Sequence, residues 1–70
     1  VRQQILEAVV RNAEGNIAVH ETNVEVYLNN PAGIGEHSDV VEAVIAEIEK
    51  IAHWNDVIEI VDSYFVAEQD

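Results

Sequence analysis

Seventy residues allow one domain, and a thin one: a chain of this length buries only about 60% of its unfolded surface, so it gains much from a partner. Fourteen acidic residues against three basic ones give a formal net charge of −11, which repels phosphate backbones and argues against direct nucleic-acid binding. The absence of cysteine removes disulfides and thiolate metal sites together.

The charge is uneven along the chain. Residues 1–30 carry Arg2 and Arg11 against four glutamates, whereas residues 31–70 carry ten acids against Lys50 alone. Apolar runs are short, such as Ala43 to Ala46, against the ~20 residues that span a bilayer. No charged-then-apolar leader opens the sequence. The expectation is a soluble protein, cytoplasmic or virion-associated, that touches no membrane.

The first arm carries a heptad pattern. Leu6, Val10, Ala13, Ile17, His20, Val24 and Tyr27 are spaced alternately by four and three, the seam of a coiled coil. Val9 and Leu28 widen the stripe. The spacing predicts one helix over about 3–29, roughly 40 Å long at 1.5 Å per residue. Gly15 lies inside it at some cost to propensity, but off the seam. A second stripe of Val1, Ile5, Ala8, Val19 and Val26, interrupted by Asn12, lies to one side. Two apolar stripes call for two neighbours.

The connector, about 30–38, holds Pro31, Gly33 and Gly35. Proline cannot continue the helix, and Asn29 or Asn30 suits its left-handed end. Ile34 is expected to fold back over the end of the helices. Asp39 with Glu42, or Ser38, provides an N-cap signal. The glycine pair has no following lysine and is no phosphate loop.

The second arm is expected to be helical over about 39–66. Its first half puts Val41, Val44, Ile45, Ile48, Ile51, Ala52 and Asn55 on one face. From Trp54 the apolar residues are Val57, Ile58, Val61, Tyr64 and Phe65, rotated by about 100°. Either one helix changes neighbours near His53–Asp56, or it breaks near Trp54. No glycine or proline follows Gly35, which favours continuity. Residues 68–70 should fray.

The expected fold is therefore all-α: an antiparallel two-helix hairpin. Two helices sharing one seam bury little, yet 49% of the residues are hydrophobic. That mismatch predicts a homo-oligomer, a four-helix bundle or larger, with Ile5, Val19, Val26, Trp54, Tyr64 and Phe65 at the self-association surface.

Little chemistry is written in the residues. His20, inside the seam, reads as a core residue bonded to a neighbour; as a hypothesis, protonating it would make assembly pH-sensitive. Glu49, His53 and Asp56 share a helix side, but the di-iron pattern needs Glu-x-x-His on two helices, and this chain has none. They read as a solvated surface, so no metal and no cofactor is expected. Glu42, Glu49 and Asp56 recur every seven residues, a carboxylate row about 10.5 Å apart that is sparse beside DNA's charge every ~1.7 Å. The only serines are Ser38 and Ser63, and neighbouring His37 points away from Ser38, so an enzyme is not expected.

Val24-Glu25-Val26-Tyr27-Leu28-Asn29-Asn30-Pro31, the Gly33-x-Gly35-Glu36-His37-Ser38-Asp39 turn and Tyr64-Phe65 resemble a set of small helical proteins encoded by T4-like marine cyanophages and found in ocean metagenomes. The resemblance extends over most of the chain, with the turn its distinctive part. It implies a phage source and a host-takeover or virion role, and it supplies no site residues. Two functions follow: a structural or adaptor protein acting through self-association, or an acidic inhibitor or nucleic-acid mimic that binds a basic host protein.

Overall fold

The fold is that of a computed structural model, which describes residues 1–29 and 37–66. Helix α1 spans Arg2–Asn29 and helix α2 spans His37–Ile60, widening into a π-helical turn over Val61–Val66. The two helices pack against each other along their length. Every described residue except Val1 is helical. The readings placed on Pro31, Gly33, Ile34, Gly35 and residues 68–70 lie outside the described residues.

The heptad seam of α1 explains its packing. Leu6, Val10, Ile17, His20, Val24 and Tyr27 are half-buried and Ala13 is fully buried, while the residues between them are mostly exposed. A 3.5-residue repeat on a helix of 3.6 residues per turn drifts slowly enough to face one partner throughout. Gly15 sits outside this line, and a Cβ there would meet nothing within 4 Å.

On α2 the inward face differs from the one the apolar residues predict. Val40, Val44, Glu47, Ile51, Trp54 and Ile58 are half-buried and Val61 is buried, a second run of alternating four and three. Val41, Ile45 and Ile48, expected inside, are half or more exposed at 57%, 50% and 51%, and Ala52 and Asn55 are exposed as well. One seam thus runs straight past Trp54 with no change of face and no break through His53–Asp56. The apparent 100° rotation arose from counting an outer apolar stripe as the core. The cause is Glu47, which occupies a seam position that hydrophobicity alone assigns to Ile48.

Helix α2 begins at His37, so Asp39 lies in its first turn and not at the cap. A carboxylate there complements the positive end of the helix dipole. At the other end, neither α2 nor its π turn has a basic residue in its last turn. Arg2 of α1 supplies one, donating from its guanidinium to the Phe65 carbonyl at 2.8 Å. The π turn also adjusts the seam. Five residues, not four, separate Val61 from the next half-buried residue, Val66, and Phe65 is left outside.

The register is antiparallel and is marked by the bond between His20 and Glu47. Counting seven residues along each helix in opposite directions puts Ala13 level with Trp54 and Tyr27 level with Val40. This pairs the smallest seam side chain of α1 with the largest of α2.

The result is long and thin. Principal extents are 51 × 16 × 13 Å and the radius of gyration is 15.9 Å, against about 11 Å for a globular domain of this length. The accessible surface is 5215 Å², roughly 800 Å² more than a folded monomer of this mass ordinarily exposes. Among the described hydrophobic residues only Ala13 and Val61 are buried.

Candidate functional site

Among the described residues, a polar cluster between the helices forms around Glu47. Its Oε1 accepts from His20 Nδ1 at 2.6 Å and from Asn23 Nδ2 at 3.0 Å. Lys50, one turn along α2, brings its Nζ to 3.7 Å from Oε2. The Glu47 and His20 side chains are 13% and 15% exposed. An ionised carboxylate only accepts, so His20 carries its proton on Nδ1. The hydrogen bond from Asn23 and then that from His20 hold the Glu47 carboxyl below its ordinary range; burial opposes them, and the charges of Lys50 and His20 add smaller lowering effects.

This arrangement does structural chemistry. No buried side-chain nitrogen or oxygen among the described residues lacks a hydrogen-bond partner. The nearest groove, ≈ 420 Å³ and open to solvent, is lined by Glu21, Val24, Ile48 and Ile51 and does not reach His20 or Glu47. The bonds from His20 and Asn23 to Glu47 tie these positions of α1 to one position of α2 across the seam. His20 is a seam residue bonded to a neighbour, as its position predicts, and that neighbour is Glu47. Sequence reasoning missed Glu47 because it sits in the apolar run Val44 to Ile48. The signal that could have found it is the spacing 40, 44, 47, 51, which puts a carboxylate in line with an α1 seam that contains a histidine.

The flanks of the seam form two different faces. On one flank Asn23 and Lys50 converge on Glu47. The residues in line with them are Arg2, Val9 and Asn16 on α1, with Ala43 and Val57 on α2. Ile5, Asn12, Val19 and Val26 of α1 and Ala46, His53 and Ile60 of α2 lie one step outward. On the other flank Glu21 and Ile48 line a common groove. That face carries Glu7, Glu14, Glu21 and Glu25 of α1, with the exposed Leu28 at its end. Its α2 side offers Val41, Ile45 and Ile48, then Glu59 and Asp62. A second open groove of ≈ 750 Å³ lies between Val10 and the Asn55–Asp62 stretch.

The residues named for self-association divide. Ile5, Val19, Val26, Tyr64 and Phe65 are exposed at 46% or more. Trp54 is half-buried in the seam, its indole edge-on to His53 with ring centroids 4.8 Å apart. Glu49, His53 and Asp56 are all exposed, and among the described residues no three histidines or acids come together as metal ligands would. Ser63 is exposed in the π turn. Among the described residues no helix is long and apolar enough to cross a membrane. The chain matches no protein-family model, no curated protein and no solved structure.

Proposed function

We propose that this protein is a structural or adaptor protein that acts through self-association, two or more hairpins pairing into a helical bundle. The observation that carries the reading is the exposure of twelve large hydrophobic side chains, from Val1 to Phe65, on a chain whose buried core is Ala13 and Val61. At about 25 cal/mol per Å², that much apolar surface left in water is a strong drive to associate. The resemblance to phage proteins supports a role in an infected host cell's cytoplasm or in the virion. Sedimentation equilibrium across a concentration series tests it: a dimer or larger species is expected, and a monomer at every concentration removes the reading.

A second reading draws on the acid-flanked face. There Leu28, Val41, Ile45 and Ile48 form an exposed apolar strip beside Glu21 and Glu25. An amphipathic helix with basic residues bordering an apolar stripe complements such a strip, as an acidic inhibitor of a basic host protein requires. The row Glu42, Glu49 and Asp56, exposed on the back of α2, adds charge nearby. Titration with a lysine-rich amphipathic peptide at 20 mM and 500 mM salt is the measurement. Binding that weakens by about tenfold or more is expected, and no binding at low salt ends this reading.

A further inference from the structure

The hairpin's charge is partitioned between its faces in a way that selects one of them for a second copy. Of the described carboxylates, six lie on the face that holds Glu21 and Ile48, and three lie along the back of α2. Glu47 turns inward to the seam. The face that holds Asn23 and Lys50 retains only Asp39, at its extreme end, while two of the three basic residues, Arg2 and Lys50, lie on it. Its outer surface carries Ile5, Val19 and Val26, more than half exposed, and Val9 and Ile60, more than a third, beside the neutral Asn12 and the exposed His53. In a chain of net charge −11, this is the surface on which two copies approach without setting carboxylates against each other.

The order of residues on that face also specifies how two copies meet. Along α1 the two lines of this flank together read Arg2, Ile5, Val9, Asn12, Asn16, Val19, Asn23 and Val26, and the central stretch from Val9 to Val19 is symmetric about the level of Glu14. A second α1 laid antiparallel about that level sets Val9 against Val19 of the second copy and Asn12 against Asn16, each pair occurring twice. Within one chain Asn16 Nδ2 donates to the Asn12 carbonyl at 2.9 Å and to Asn12 Oδ1 at 3.2 Å. This leaves Asn12 with amide donors and Asn16 with an amide acceptor to offer across the axis. A central amide pair between valines is the device by which helical interfaces set a register.

We infer that the protein forms an isologous dimer through its acid-free face, α1 lying antiparallel on α1 with the two-fold axis at the level of Glu14, and its occupant is a second copy of this chain. The inference rests on the self-association reading and names its surface. In the dimer both acidic faces point outward, and the hairpins complete a four-helix bundle.

The test compares wild type, Val19→Glu and Ile48→Glu by sedimentation equilibrium, with circular dichroism to verify that each is helical. Wild type is expected to dimerise. Val19→Glu buries two carboxylates by symmetry and should raise the dissociation constant by about 100-fold or more. Ile48→Glu, on the opposite face, should leave it within about threefold. The reverse pattern retains self-association and overturns the face, whereas a wild type monomeric at every concentration overturns both. Register is read separately by oxidative cross-linking in this cysteine-free chain. Mixing Asn12→Cys with Asn16→Cys should give a mixed disulfide in preference to either homodimer, and self-disulfides of Asn12→Cys forming as readily would overturn the antiparallel arrangement.

Discussion

Glu47 contributes to folding through its charge, because every group arranged around it favours the ionised form. Asn23 and His20 donate to one oxygen and Lys50 lies near the other. Its carboxyl is held below the ordinary value near 4.5, so in acid the unfolded chain takes up this proton before the folded one does. The stability it supplies is present above pH 4.5 and is lost as pH falls through the lowered folded value. Glu47→Gln keeps the shape and removes the charge. Melting temperatures of the two proteins should differ most at neutral pH and converge below about pH 4.5; a gap of constant size from pH 7 to pH 3 would show that charge is not what the cluster supplies. Gly15 is the converse case, a residue whose removal should help. It lies inside α1, and nothing stands within 4 Å of the Cβ that alanine would add. Gly15→Ala should raise stability by about 0.5–1 kcal/mol, read as an increase of a few degrees in melting temperature.

At the scale of the helices, Ala13 is 0% exposed and passes level with Trp54. Ala13→Leu adds volume at a fully buried seam position, and denaturant unfolding should show a loss of about 1–3 kcal/mol. Unchanged stability would mean that the helices part there without cost. The two elements were not equally legible from the residues. On α1 six of the seven seam positions are apolar and the seventh is a histidine, so spacing alone located the inward face. On α2 the seam includes Glu47, and a competing stripe of Val41, Ile45 and Ile48 is the more hydrophobic of the two. Hydrophobicity ranks residues by their aversion to water, and here it picked out a surface that the hairpin leaves exposed. What places Glu47 inside is a pair of donors on the other helix, which a reading of α2 by itself does not contain. The π turn was hidden for a related reason. No helix breaker marks Val61–Val66; its wider winding shows in the five-residue step to Val66 and in Arg2, which reaches Phe65 from the far end of the sequence.

For the whole molecule, charge and shape pull in opposite directions, and salt separates them. Pairing two chains, each at −11, concentrates repulsion even when the carboxylates face outward, while the aliphatic interface is indifferent to ionic strength at moderate concentrations. Screening shortens the reach of the repulsion from ~30 Å at 0.01 M to ~10 Å at 0.1 M, less than the 51 Å length of the hairpin. Self-association should therefore tighten as sodium chloride rises from 10 to 200 mM, measured as a falling dissociation constant in sedimentation equilibrium. A basic peptide held on the acidic face should respond with the opposite sign, since screening removes the attraction that holds it. The two slopes are independent of which residues are mutated, so they separate the readings on the unaltered protein. An assembly that weakens with salt over this range would mean that its interface is built from ion pairs, and the aliphatic stripe from Ile5 to Val26 would lose its part in holding the copies together.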